Sequence, residues 1–163
     1  MEVHSNWMKI ALKEAEKAFD GNEVPVGCII VFENRIIAKA HNQVELLTDP
    51  TAHAEMIALT SAFDALKTKQ LKGCSMYVTL EPCSMCAGAL VLAKLENLYF
   101  GAYDNKTGAC GSALNITNNN HLNHNINVYG GILDAECSSL IKDFFTEKRN
   151  NDIPGNLNTF SKN

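Results

Sequence analysis

Two stretches decide how this chain is read: TAHAEMIAL at residues 51–59 and TLEPCSMCAGAL at residues 79–90. In the first, His53 and Glu55 sit two apart where a helix is about to begin. In the second, Cys83 and Cys86 sit three apart, directly after a proline, a residue tolerated at the first position of a helix. Residues at i and i+3 share one helical face. A helix N-terminus carries partial positive charge, which favours the thiolate form of a cysteine. His53, Cys83 and Cys86 together offer one nitrogen and two sulfurs, a donor set suited to tetrahedral zinc. Three protein ligands leave one position to water, as catalytic zinc sites do, and a water so held loses its proton near neutral pH. Glu55, beside the same helix end, is placed to take that proton and pass it on.

Working outward, the chain alternates helix-like and strand-like segments. Trp7, Ile10, Ala11, Leu12, Ala15, Ala18 and Phe19 recur at helical spacing, with Ser5 or Asn6 as a cap and Gly21 as a stop. VPVGCIIVF and RIIAKAHN flank Glu33-Asn34 as a hairpin. VELLTDP reads as a loop, and Asp49 or Thr51 as the cap of a helix over 52–67. SMYVTL is a short buried strand. The helix that opens at Pro82 runs to about Lys94. The strand NLYFGA, a long polar loop over 103–127, a short strand in VYGGI and a last helix over 134–148 complete the order. This pattern predicts a three-layer α/β/α domain around a five-stranded mixed sheet, with the strands at 75–80 and 97–101 parallel. Residues 1–150 form a single domain in this reading, and 151–163, rich in Asn and holding Pro154 and Gly155, an irregular or disordered tail.

The chain has 163 residues, 46% of them hydrophobic and 20% charged. That is an ordinary globular composition and length for one domain. No apolar run reaches the roughly 20 residues of a membrane helix, and the N-terminus does not read as a secretory signal. Six cysteines with one close pair fit a reducing, cytoplasmic setting, with Cys28 and Cys137 as core residues. The net charge of −4 counts modestly against nucleic acid. Two other readings of the cysteine pair stay open: a redox dithiol, and a structural zinc site with Cys74 as the nearest fourth candidate. Cys74 precedes a strand and is expected at the opposite end of the sheet.

The combination H-A-E with P-C-x-x-C resembles the zinc-dependent nucleobase deaminases, whose signature and chemistry are well defined. VPVGCIIV, HNQ, DPTAHAEMIAL, MYVTLEPCSMCAGAL and FGAYDNKTGACGS resemble more closely the bacterial tRNA-specific adenosine deaminases, over roughly residues 5–149. The resemblance implies a cytidine-deaminase-like fold, one zinc per subunit on His53, Cys83 and Cys86, and Glu55 as a proton shuttle that is not a metal ligand. It implies hydrolysis of a wobble adenosine to inosine in the anticodon stem-loop of an arginine tRNA, by a cytoplasmic homodimer. Asn42 and the Ala54 N–H would face the flipped base, with Val26 and Pro25 as pocket wall. Asp104 would contact the neighbouring ribose, Lys106 the backbone, and Phe144 and Phe145 the nucleotide path. The last helix and tail, TEKRNNDIPGNLNTFSKN, are less basic than that family's pattern. The alternative is a small-molecule deaminase for guanine, cytosine or a nucleoside.

Overall fold

The computed structural model describes residues 1–152. Ten elements follow one another: α1 (Glu2–Asp20), β1 (Gly27–Phe32), β2 (Arg35–His41), α2 (Val44–Leu47), α3 (Ala54–Leu66), β3 (Cys74–Leu80), α4 (Ser84–Leu92), β4 (Asn97–Ala102), β5 (Asn127–Tyr129) and α5 (Asp134–Asp152). The strands form one sheet in the order β2-β1-β3-β4-β5. β1 is antiparallel to β2 and β3, whereas β3, β4 and β5 run parallel. This is the expected five-stranded mixed sheet.

Strand alternation distributes the core over both sheet faces. Cys28, Ile30, Met76, Val78 and Leu98 meet Ala58, Leu59, Ala87 and Leu90 of α3 and α4 on one side. Ile29, Val31, Tyr77 and Ala102 meet Met8, Ala11 and Cys137 of α1 and α5 on the other. Glu33 and Asn34 both hold positive φ, 47° and 60°, so the β1–β2 connection is a two-residue turn of the kind that matches strand twist.

Several boundaries differ from the sequence reading, each for a visible reason. VELLTDP is not all loop. Val44–Leu47 make one helical turn, because the buried Glu23 carboxylate accepts from Glu45 N (2.8 Å) and Leu46 N (3.0 Å). Asp49 does not cap α3. Its Oδ1 accepts from the N–H and hydroxyl of Thr51 instead, and His53 is the N-cap residue. Pro82 is not the first helical residue. Cys83 stays extended and bridges to Gly108, and α4 starts at Ser84. The last helix runs four residues past Lys148, so Asn151 and Asp152 are helical and not tail; residues 153–163 lie outside the described residues.

Gly27 shows how closely α1 lies on the sheet. A Cβ there would come within 2.0 Å of Ala11 O and 2.3 Å of Ala15 N, both backbone atoms. We expect Gly27→Ala to destabilise the zinc-loaded protein by on the order of 3 kcal/mol, the upper end of overpacking costs, read as a lower denaturant midpoint at unchanged slope.

Candidate active site

The parallel strands β3 and β4 end at Leu80 and Ala102, and β2 ends at His41 beside the start of β1. The helices α3 and α4 begin at this same end of the sheet, each with a site residue as N-cap: His53 (φ −72°, ψ 151°) and Cys83 (φ −72°, ψ 176°). Cys86 lies in the first turn of α4, fully buried. His53 and the two cysteines, 30 and 33 residues further along, are thereby gathered at one point, where open α/β sheets place their ligands.

His53 Nδ1 is 3.6 Å from Cys83 Sγ and 3.6 Å from Cys86 Sγ. A tetrahedral zinc with Zn–S near 2.3 Å and Zn–N near 2.05 Å would separate a nitrogen and a sulfur ligand by about 3.6 Å. Both nitrogen–sulfur separations therefore match what zinc requires, and the three donor atoms all lie within 4.8 Å of one another. Among the described residues this group has three members, and Cys74 lies at the other end of β3, as expected. The fit is to a site with one open position rather than to a closed structural one.

The charge pattern suits metal capture. The Cys83 thiol is brought down to about 4, first by a hydrogen bond from Cys86, then by its contact with His53. The Cys86 thiol is pushed up, first by its hydrogen bond with Cys83, then by burial and by the Glu55 charge. His53 is raised, chiefly through Cys83.

Glu55 is buried in the first turn of α3, and burial raises its carboxyl above the usual range. Its Oε2 is the one buried side-chain polar atom without a hydrogen-bond partner among the described residues. Orphaned polar atoms are rare in folded proteins and call for an explanation. Glu55 lines a cavity of about 330 Å³ together with Val26, Asn42, His53, Cys83 and Asp104.

The other sequence-derived candidates divide. Val26 and Asn42 are in the wall. Asn42 Nδ2 donates to Val24 O (3.1 Å), while its Oδ1 accepts from Ala54 N (2.8 Å). The Ala54 N–H is therefore committed to Asn42 rather than free, and Asn42 keeps one N–H and one lone pair. Asp104 lines the cavity, but its carboxylate already accepts from Lys106 N, Thr107 N and the Thr107 hydroxyl. Lys106 lies outside the cavity, in an adjoining groove with Tyr103, Lys142 and Phe145. Phe144 does not reach the cavity wall. It is buried edge-on against Phe19, with Lys148 Nζ 5.5 Å from its ring centroid, so Phe145, which is exposed, is the aromatic of that pair facing the groove. Pro25 is buried behind the wall.

Sequence reading missed Glu81, Glu23 and Lys148. Lys148 and Glu23 line the cavity through chain reversals that no local pattern records. Glu81 is a buried charge wedged between an apolar strand and Pro82, and that placement was its signal.

The low Cys83 value predicts a measurable reactivity. In chelator-stripped protein, Cys83 should be alkylated by iodoacetamide first, at a rate nearly flat from pH 6 to 8. A thiol near 8.5 would instead gain roughly tenfold per pH unit over much of that range. Stoichiometric zinc should abolish the reaction, as mass spectrometry of the labelled peptide would report.

Residues 2–149 match the family model of the MafB19-like deaminases. A tRNA-specific adenosine deaminase of Aquifex aeolicus is 52% identical over 147 residues, 90% of this chain and 97% of the relative. That of Bacillus subtilis is 46% identical over 143 residues, 88% of this chain and 89% of the relative. A solved structure from biochemical and structural studies of A-to-I editing by tRNA:A34 deaminases at the wobble position superposes with a TM-score of 0.80 at 39% identity, covering 83% of this chain and 98% of the other. Fold, donor set and these likenesses agree: the chain belongs to the MafB19-like deaminases and, within them, to the tRNA-specific adenosine deaminase family.

Proposed function

We propose that this chain hydrolyses the wobble adenosine of a tRNA anticodon to inosine, releasing ammonia, and that its substrate is an arginine tRNA. The observation that carries this reading is the orphaned Glu55 Oε2 beside a three-membered His/Cys/Cys donor set, in a cavity large enough for a small polar ring.

His53, Cys83 and Cys86 would hold zinc, which when bound supplies Lewis acidity that brings deprotonation of water near neutral pH. Glu55 Oε2, uncommitted to any donor among the described residues, takes that proton. Its raised affinity for the proton, set by burial, keeps the proton available for delivery to the departing amino nitrogen. The remaining N–H and lone pair of Asn42 orient the base edge, and Val26 closes one side of it.

Charge distribution supports an RNA substrate despite the net −4. The groove leading from the cavity toward α5 passes Asp104, whose carboxylate is held by its own turn, and at its outer end Lys106, Lys142 and Arg149 line it with no carboxylate beside them; Lys148 lines the cavity itself. Exposed Phe145 and Tyr103 stand beside these cations. Alternating cations and aromatics are what a single-stranded nucleic acid uses: phosphates pair with the former and bases stack on the latter.

We also propose a homodimer that buries the apolar face between α3 and α4. Met56, Met85, Ala89, Leu92 and Leu122 line it, and Leu92 is 83% exposed in the single chain. No described helix is long and apolar enough to cross a membrane. Six free cysteines and a tRNA substrate support a cytoplasmic setting for this reading.

The decisive assay incubates zinc-loaded protein with an arginine anticodon stem-loop carrying a wobble adenosine, beside free guanine, cytosine and adenosine. Inosine should form in the stem-loop alone. Ammonia from a free base alone would replace the RNA reading by a small-molecule one. Glu55→Ala should keep its zinc and lose activity by about 10²–10⁴-fold. For the dimer, sedimentation should give twice the chain mass for the parent and the single chain mass for Leu92→Glu.

A further inference from the structure

We propose that Glu81 is a positioning residue: its buried carboxylate clamps the loop over 104–112 against the metal-binding segment and so sets the cavity wall that carries Asp104 and Thr107. The inference deepens the proposed deamination and rests on that reading for its kinetic arm.

Glu81 is 2% exposed, and among the described residues every partner of its carboxylate comes from one loop. Oε1 accepts from Asp104 N (3.3 Å) and from the Ser112 hydroxyl. Oε2 accepts from Cys110 N (3.1 Å) and Ser112 N (3.2 Å). The loop closes so tightly that a Cβ on Gly108 would lie 2.4 Å from Glu81 Oε2 and 2.4 Å from Asp104 O. The next two residues extend the same attachment: Pro82 O accepts from Ala109 N (2.8 Å), and Cys83 bridges to Gly108. Three consecutive residues, Glu81 to Cys83, therefore bind the loop on one side and donate a metal ligand on the other. A buried carboxylate loses its hydration, and only a full set of donors offsets that cost. Here the whole set belongs to the substrate-facing loop, so the carboxylate is satisfied only while the loop is in place.

The two oxygens make a distinction that a bulk packing role would not. The partners of Oε2 are both backbone N–H groups, which can only donate. At Oε1 the serine hydroxyl can reverse and accept, but the Asp104 N–H cannot. Glu81→Gln therefore has one workable orientation, with its NH₂ toward Ser112 Oγ, and it releases the Asp104 N–H alone. Glu81→Ala releases all three amides.

The experiment pairs amide hydrogen exchange with kinetics on the zinc-loaded proteins. In Glu81→Gln we expect faster exchange at Asp104 with Cys110 and Ser112 still protected, zinc content equal to the parent, and KM for the anticodon stem-loop raised about tenfold with kcat changed less than about threefold. In Glu81→Ala exchange should quicken at all three amides and KM should rise further. Unchanged exchange at Asp104 in both variants would overturn the clamp. Faster exchange with an unchanged KM, or lost zinc with the loop still protected, would overturn the positioning role. If Glu81→Ala fails to fold, Glu81→Gln and Ser112→Ala decide, the latter by a smaller rise in KM of the same sign. A parent that makes no inosine defeats the deaminase reading, and the clamp is then judged by exchange alone.

Discussion

The meeting of two helix N-termini at the carboxyl end of one parallel strand pair is the constraint on which the site depends. α3 begins with His53 and α4 with Cys83, and the first turn of α4 adds Cys86. His53 and Cys83, the candidate ligands, are these helices' N-cap residues, and neither makes a side-chain cap hydrogen bond. At α3 the end is met from outside the helix, by Asn42 Oδ1 accepting from Ala54 N. The 3.6 Å separations follow from the sheet register and the helix starts together. Shifting either helix by one residue would swing its ligand about 100° away, since a helix turns once every 3.6 residues.

Around this point the molecule uses buried carboxylates in three different ways. Glu23 caps the single turn of α2 and holds the lip of the cavity. Glu81 gathers four donors from the loop opposite. Glu55 has one oxygen, Oε2, with no hydrogen-bond partner among the described residues. The first two are satisfied by protein, so their burial costs little and rigidifies both walls. The third is left unsatisfied between those rigid walls. A poised proton acceptor needs that arrangement: an oxygen free for the reaction in surroundings that cannot collapse onto it.

Electrostatics of the whole chain and of the site point in opposite directions, and the site decides. A net charge of −4 argues against nucleic acid only if charge is spread evenly. α5 and the 104–107 turn instead bring Lys106, Lys142 and Arg149 to one groove, and the Asp104 carboxylate beside them is occupied by its own turn. Short-range contacts with phosphates respond to this local pattern, since fields from distant surface carboxylates are screened within roughly 10 Å at ordinary salt.

Sequence by itself determined the five-stranded mixed sheet, the hairpin at Glu33-Asn34, the helix–strand order and the identity of the metal-donor and proton-transfer candidates. These depend on local periodicity, turn chemistry and i, i+3 spacing, which neighbouring residues carry. Only the tertiary structure decided what long-range partners do. The α2 turn exists because a carboxylate twenty-two residues earlier caps it. Ala54 N–H faces Asn42 because the end of β2 lies against the start of α3. Phe144 goes to the core and Phe145 to the groove according to which side of α5 meets α1, and two adjacent phenylalanines carry no sign of that choice. Glu81 earns its partners from residues 23 to 31 positions further along, brought back by β4 and its loop. For the phenylalanines the deciding energy is apolar burial, and for the others it is the cost of leaving a buried polar group unpaired; both are known only once the chain has chosen what surrounds the group.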